Sequence, residues 1–127
     1  MSGLTRTPEL YACGISYVGV SNLFTWIAAI PPYWKPMIEM FASRMGDWRT
    51  EEGREFLTQR SPLTHVEKIS KPLLIGQGAN DPRVKQHESD QIVVALRQKD
   101  KPVEYIVAPD EGHGFRAPDN RKALAVA

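Results

Sequence analysis

Disulfides, membrane spans and strong net charge are all missing from this 127-residue sequence. Cys13 is the single cysteine, which excludes an internal disulfide and favours a reducing, cytoplasmic compartment. No apolar run reaches the length that a membrane helix needs. The 16 basic and 15 acidic side chains give a net charge of +1, without the basic cluster of a nucleic-acid surface. We therefore expect neither a membrane nor a nucleic acid as a partner.

The positions of the histidines argue against a metal site. His65, His87 and His113 are widely separated, and there is neither an H-E-x-x-H segment nor a cluster of cysteine and histidine. We predict no metal ion and no cofactor. With 42% hydrophobic and 24% charged residues, the composition is ordinary for one globular domain, which we assign to residues 1–127.

Three stretches have the composition of β-strands. They are rich in branched apolar residues and lie at about Cys13–Val18, Pro72–Gly76 and Val103–Val107. Apolar residues at helical spacing predict an amphipathic helix over about Lys85–Lys99, between the second and third strands. Strands joined by right-handed crossovers through helices lie parallel in one sheet, so the sequence predicts an α/β fold. The first strand does not alternate cleanly between apolar and polar residues, and we expect it to be buried on both faces.

The segment between the first two strands is predicted to be helical. An apolar stripe recurs there at helical spacing, formed by Trp34, Met37, Ile38, Phe41 and Met45. Thr50 is expected to cap a second helix that runs to about Gln59. Ser61 is expected to cap a short turn that begins at Pro62, and Pro118 to begin the last helix.

Two of the predicted strands are followed by a loop with one notable ionisable side chain. Asp81 follows the second strand and His113 follows the third. Loops at the carboxyl ends of parallel strands share one edge of a sheet, so these side chains can meet there. A carboxylate beside an imidazole fixes the ring tautomer and stabilises the imidazolium that forms when a serine is deprotonated. The order Asp before His is that of the later part of an α/β-hydrolase triad.

These motifs resemble the end of the catalytic domain of the prolyl oligopeptidase family of serine peptidases, especially its acylaminoacyl-peptidase and dipeptidyl-peptidase branches. The matching segments are Ser61-Pro62, Lys71–Ile75, Gly78–Val84, Glu88-Ser89 and Asp110–Phe115, and Tyr11–Asn22 is similar to the strand after the nucleophile. The resemblance implies a partial α/β-hydrolase fold of about three parallel strands with flanking helices. It also implies hydrolysis of peptide or ester substrates by acyl transfer, with Asp81 as the triad acid and His113 as the base.

The nucleophile of such a triad lies on a G-x-S-x-G turn, and the sequence has no such pentapeptide. The nearest candidate is Ser16, but Val18 occupies the position of the second glycine. In the family the nucleophile turn lies just before the residues that open this chain, so we expect a fragment that starts after it. We interpret Ser16 as a small core residue; a small esterase that uses Ser16 is an alternative.

Several other residues border the predicted site. Phe24 and Trp26 follow the first strand, where they either line an apolar substrate pocket or cover the core. Asp110 and Glu111 precede the histidine; we expect both to be solvated loop acids, and the alternative is that either one tunes the histidine loop. Arg83 is expected to brace the Asp81 loop by binding backbone carbonyls or a carboxylate, with a substrate contact as the alternative.

The predicted first strand also suggests a partner. The strand that carries the nucleophile would pair beside it, so without that neighbour the edge near Ile15 is unpaired. We expect this edge to pair with a second copy, giving a homodimer with two-fold symmetry. A non-catalytic, self-associating interaction module is therefore the alternative to a hydrolase.

Overall fold

The computed structural model describes residues 1–127, and a parallel sheet lies at its centre. The strands are β1 (Gly14–Tyr17), β2 (Leu73–Gly78) and β3 (Val103–Ala108), in that spatial order. Both pairs are parallel, and the register places Ser16 beside Ile75 and Ile75 beside Tyr105. The predicted α/β architecture with three parallel strands is therefore confirmed.

A proline precedes each of the two later strands. Pro72 comes before β2 and Pro102 before β3, and neither has a backbone N–H for a ladder. Their carbonyl oxygens still accept hydrogen bonds from the neighbouring strand, Pro72 from Gly14 N–H at 2.9 Å and Pro102 from Leu73 N–H at 3.1 Å. The prolines therefore mark where the ladder begins.

β1 lies at the edge of the sheet because it pairs with β2 alone. Ile15 is 67% exposed and Tyr17 is 38% exposed, whereas Ser16, on the opposite face, is buried. The prediction that this strand is buried on both faces is wrong. Apolar and polar residues do not alternate cleanly in β1 because the residues on its covered face are small, not because both faces are covered.

Helices and short 3₁₀ turns make up most of the remaining chain. The α-helices are α1 (Ser2–Arg6), α2 (Leu23–Ala28), α3 (Ile38–Met45), α4 (Glu51–Arg60), α5 (Gln86–Arg97) and α6 (Pro118–Val126). The 3₁₀ helices are Pro8–Leu10, Pro32–Met37 and Pro62–Lys68. None of these helices is long and apolar enough to cross a membrane.

The main core forms where α5 packs on the sheet. Ile92, Val93 and Leu96 line the inner face of α5 and are almost completely buried against Leu73 and Ile75 of β2. This inner face is the apolar stripe from which the helix was predicted, and the helix has nearly the expected bounds. Burying each such side chain stabilises the fold by about 1.5–3 kcal/mol.

A second apolar cluster lies under the helical segment between β1 and β2. Its buried members are Trp26, Ile27, Leu57 and Val84, and three residues of the predicted apolar stripe, Trp34, Phe41 and Met45, pack against it, whereas Met37 is exposed. That stripe was expected to form one helix, but the first part is a 3₁₀ turn and α3 begins only at Ile38. Pro36 explains the break, since it lacks an N–H and restricts the residue before it.

The two predicted helix caps have different outcomes. The Thr50 hydroxyl accepts a hydrogen bond from Gly53 N–H at 3.0 Å, which confirms the cap of α4. Ser61 makes no cap hydrogen bond to the turn that follows it. Its hydroxyl donates to the Leu57 carbonyl at 2.8 Å and accepts from Leu23 N–H at 3.0 Å, so it joins α4 to α2 instead.

Gly78 allows the end of β2 to approach the histidine loop closely. A Cβ atom at Gly78 would lie 2.1 Å from the Gly112 carbonyl oxygen, whereas a Cβ at Gly112 would meet nothing within 4 Å. We expect Gly78→Ala to lower the free energy of unfolding by about 1–3 kcal/mol, because the backbone must move apart. Gly112→Ala should change it by less than about 0.5 kcal/mol. Equal urea midpoints for the two variants would contradict this account.

Candidate active site

Asp81 is held in a fixed orientation in the loop after β2. Its side chain is fully buried, and Oδ1 accepts hydrogen bonds from the backbone N–H of Arg83 at 2.8 Å and of Val84 at 3.0 Å. This is the geometry of an Asx turn, in which an aspartate closes its own loop. The second oxygen, Oδ2, remains free to contact another group.

That group is His113. The imidazole Nδ1 lies 2.8 Å from Asp81 Oδ2, so the structure brings the two predicted residues together. A carboxylate only accepts hydrogen bonds, so in this contact Nδ1 donates and the neutral ring keeps its lone pair on Nε2. The His113 side chain is 33% exposed and Nε2 has no partner within the chain. The pair therefore presents a basic nitrogen at the surface.

The histidine loop is fastened to the end of β2 by backbone and side-chain hydrogen bonds. Asn80 N–H donates to the Glu111 carbonyl at 2.9 Å, and Asn80 Nδ2 donates to the Pro109 carbonyl at 2.7 Å. Gly114 has φ of +103°, a conformation that favours glycine, and it follows His113 directly. The two loops thus form one unit that sets the distance between acid and imidazole.

An open groove of about 390 Å³ surrounds the exposed side of His113. Its walls include Pro82, Arg83, Gly112, Gly114 and Arg116. A larger depression lies elsewhere, beside Arg60 and Lys68, but it contains no carboxylate–imidazole pair. Chemistry rather than size therefore identifies the candidate site.

The arrangement of a buried carboxylate, an imidazole and parallel strand ends is that of an α/β-hydrolase. The family model described as "Prolyl oligopeptidase family" matches residues 1–127. The chain belongs to the prolyl oligopeptidase family. The predicted resemblance is confirmed over the whole chain.

Named relatives in the family are peptidases. The chain is 59% identical over 124 residues to dipeptidyl aminopeptidase BIII of Pseudoxanthomonas mexicana, covering 98% of this chain and 18% of that protein. It is 53% identical over 121 residues to dipeptidyl peptidase family member 6 of Caenorhabditis elegans, covering 92% of this chain and 16% of the relative. The chain thus spans less than a fifth of the length of either relative.

Solved structures agree on the fold. A puromycin-hydrolysing peptidase of Mycobacterium tuberculosis superposes with a TM-score of 0.79 at 30% identity, over 95% of this chain and 18% of that one. A second puromycin hydrolase superposes with a TM-score of 0.82 at 28% identity over the same shares. These likenesses confirm the partial α/β-hydrolase architecture, with strands and helices in the family's order.

Phe24 and Trp26 lie in α2, beside the Asp81 loop. Trp26 is 9% exposed, and its indole N–H donates to the Arg83 carbonyl at 3.1 Å. Its ring packs edge-on against Phe41 at 5.6 Å, and Phe24 lies partly buried against the same cluster. Packing therefore accounts for most of the surface of Trp26, while a substrate contact by either ring stays a prediction.

The structure also shows the surroundings of Ser16 and Arg83. Ser16 is 6% exposed on the covered face of β1 and hydrogen bonds neither His113 nor Asp81, as expected for a small core residue. Arg83 braces the Asp81 loop through its main chain, since its N–H donates to Asp81 and its carbonyl accepts from Trp26. The Arg83 guanidinium forms no hydrogen bond and no salt bridge, so the expected bracing by this side chain is not observed.

Glu111 is a buried acid that anchors the histidine loop. It is 5% exposed, and its Oε1 accepts from Arg116 N–H at 2.8 Å, Ala117 N–H at 2.7 Å and Asn120 Nδ2 at 3.0 Å. The expectation of a solvated acid is wrong for Glu111, because three donors replace water around one oxygen. Asp110 remains exposed and accepts only from Asn120, at 2.9 Å.

Glu88 is a second buried acid that the sequence reasoning did not assign. It is 2% exposed in the first turn of α5, and Oε2 accepts from the backbone N–H of Ser21 at 3.0 Å and of Asn22 at 2.9 Å. Oε1 accepts from the Thr25 hydroxyl. Glu88 therefore ties the loop after β1 to the helix that follows Asp81. The sequence did contain a signal for its burial: Glu88 lies four residues before Ile92 and therefore on the same face of the helix.

The hydrogen bonds to Glu111 predict a pH-dependent loop. Donation by Asn120 and then by Arg116 N–H lowers the pKa of Glu111, partly opposed by burial. Because the folded-state pKa is depressed, the stabilisation is present above the ordinary glutamate value of about 4.3 and is lost as pH falls through the lower folded value. We expect the amide resonances of Arg116 and Ala117 to titrate in that acid range.

Two variants test the assignment of that titration. Glu111→Gln should abolish it, because the remaining amide carries no charge, whereas Asp110→Asn should leave it in place. Titration that persists in Glu111→Gln, or a midpoint at the ordinary glutamate value in the unmodified protein, would contradict the prediction.

Proposed function

We propose that this chain supplies the acid and the base of a serine-hydrolase triad, Asp81 and His113, for hydrolysis of peptide or ester bonds. The observation that carries the proposal is the 2.8 Å contact between His113 Nδ1 and the buried Asp81 Oδ2, with Nε2 unpaired. Membership of a family whose named relatives are peptidases supports the same reaction class.

Each group has a defined part in the proposed acyl transfer. His113 Nε2 removes the proton of a serine hydroxyl while the serine oxygen bonds to the substrate carbonyl carbon. The resulting imidazolium gives that proton to the leaving amine or alkoxide as its bond to the carbonyl carbon breaks. Asp81 keeps Nδ1 protonated and stabilises the imidazolium by its negative charge. Water then replaces the leaving group and the same steps release the acid product.

The serine itself has no candidate in these 127 residues, because no G-x-S-x-G segment is present and Ser16 is buried. Relatives extend over more than five times the matched length. We propose that the nucleophile and the oxyanion-hole amides belong to polypeptide outside the 127 residues, so that the chain is one portion of a larger catalytic domain.

The proposed substrate class is a peptide, with an ester as the alternative. Relatives named dipeptidyl aminopeptidase and dipeptidyl peptidase support a peptide. Phe24 and Trp26 are proposed to contribute an apolar wall for a substrate side chain. Support comes from the Trp26 indole, which contacts the Arg83 carbonyl within the loop that carries Asp81.

A chimera with a longer relative tests the catalytic roles. We would replace the matched region of dipeptidyl aminopeptidase BIII with this chain, since the two are 59% identical there. The chimera is expected to hydrolyse a dipeptidyl nitroanilide. Asp81→Asn should lower kcat by about 10⁴-fold, because the base loses its orientation. His113→Ala should lower it by about 10⁶-fold, because the base is absent.

The control for that experiment is His87→Ala, which removes an exposed histidine that does not line the groove around His113. It should leave kcat and KM unchanged. An active chimera that tolerates Asp81→Asn or His113→Ala would disprove the assigned roles.

A second proposal concerns self-association through β1. On the side that faces β2, Gly14 N–H donates to the Pro72 carbonyl and Val18 N–H, directly after β1, donates to the Gly76 carbonyl, both at 2.9 Å. Alternate residues of a strand point their amides to opposite sides, so those of Ile15 and Tyr17 face away from β2. An unpaired edge with an exposed isoleucine is a template for another strand. We propose antiparallel pairing of two copies about a two-fold axis, a function that needs no catalysis.

Sedimentation velocity tests this pairing. The 127-residue chain is expected to sediment as a dimer, and Ile15→Lys to shift it to monomer, because the two-fold axis places the new charges close together. Val94→Lys, which alters a 52% exposed position on α5, is the matched control and should remain dimeric. A monomeric unmodified chain, or dimers of Ile15→Lys, would rule the interface out.

A further inference from the structure

Tyr17 connects the edge strand to the histidine loop. It is the last residue of β1, and its hydroxyl accepts a hydrogen bond from Phe115 N–H, two residues beyond His113. Its ring also packs edge-on against the Phe115 ring, with centroids 5.2 Å apart and an interplanar angle of 87°. One side chain therefore contacts both the main chain and the side chain of the residue that ends the His113 turn.

The surroundings of Tyr17 leave room for the ring. A Cβ atom at Gly76, the neighbour of Tyr17 in β2, would lie 3.1 Å from Tyr17 Cδ2. A Cβ at Gly114 would come within 3.5 Å of the Tyr17 hydroxyl. The contact at Gly76 would be tight, so glycine there gives the ring space, whereas the contact at Gly114 would be an ordinary one.

The turn has two side-chain anchors. Glu111 holds the amides of Arg116 and Ala117 from inside the loop, and Tyr17 holds Phe115 from the sheet. The imidazole at the tip of the turn has one hydrogen-bond partner, Asp81. Where the ring sits therefore depends on how firmly the turn is anchored.

The phenol of Tyr17 remains neutral under ordinary conditions. Burial raises its pKa, and the negative charge of Glu111 adds to this effect, while Arg121 opposes it. A neutral hydroxyl oxygen accepts the Phe115 amide and still has a proton to donate.

We propose that Tyr17 is a positioning residue for His113: through Phe115 it fixes the turn so that Nδ1 meets Asp81. The consequence for catalysis rests on the proposed function of the Asp81–His113 pair. The positioning itself does not, since it is a property of the loop that can be measured without turnover.

Tyr17→Phe removes the hydroxyl and keeps the ring. The measurement is NMR of the His113 side chain in the 127-residue protein, following water exchange of the Nδ1 proton and the share of the Nδ1–H tautomer. We expect exchange to accelerate by about 2- to 12-fold, the factor that matches the loss of one ordinary hydrogen bond, and the Nδ1–H share to fall.

Tyr105→Phe is the matched control. The Tyr105 hydroxyl donates to Asp90 Oδ1 at 2.7 Å, so this variant also removes one tyrosine hydrogen bond from the same sheet. Tyr105→Phe should leave the water exchange of the His113 Nδ1 proton and the share of the Nδ1–H tautomer unchanged. This should hold even if thermal unfolding shows that Tyr105→Phe is less stable than Tyr17→Phe. Unchanged His113 signals in Tyr17→Phe, or equal changes in both variants, would overturn the proposal. If Tyr17→Phe fails to fold, Phe115→Leu provides a second test, because it removes the ring contact between Phe115 and Tyr17, and unaltered His113 signals in it would likewise overturn the proposal.

Activity separates this proposal from the one on which it rests. In the active chimera, Tyr17→Phe should lower kcat by about 2- to 12-fold and leave KM unchanged, because substrate contacts are intact. An active chimera that tolerates His113→Ala would disprove the catalytic role, whereas the NMR result would still decide the positioning role.

Discussion

Parallel pairing of the three strands is the constraint on which the rest of the structure depends. It directs the loops after β2 and β3 to the same edge of the sheet, where Asp81 and His113 meet at 2.8 Å. Neither loop could place its side chain alone, because each needs the register of its strand. The Asp81 loop then closes on itself through Oδ1, which leaves Oδ2 for the imidazole. Sheet register and loop geometry together make a carboxylate–imidazole pair.

Buried carboxylates tie the surrounding loops to that frame. Glu88 and Glu111 each gather several N–H or hydroxyl donors, and neither forms a salt bridge. Burying a carboxylate is costly unless hydrogen bonds replace its water, so several donors are needed for each. These hydrogen bonds hold the loops in place: Glu88 fixes the loop after β1, and Glu111 fixes the turn that carries His113. Both acids thus hold the loops around the site, and Glu111 also lines the groove beside His113.

The sequence predicted those features that depend on local pattern. The strands, α5 and the Thr50 cap follow from periodicity and capping chemistry, and the meeting of Asp81 with His113 follows from chain order and parallel topology. The hydrogen-bond partners of Glu111, Glu88 and Ser61 could not be predicted, because they are distant or main-chain groups that only the folded chain brings near. Tyr17 was missed for the same reason, since its partner Phe115 is nearly a hundred residues away in sequence.

The prolines before β2 and β3 disfavour one kind of error in strand register. Pro72 and Pro102 accept ladder hydrogen bonds but cannot donate them. If a strand slid by two residues so that its proline entered the ladder, a carbonyl opposite would lose its donor. Slippage in that direction is therefore unfavourable even without side-chain contacts. The two prolines, at the opposite end of the strands from the site, thus help to set the register that aligns Asp81 with His113.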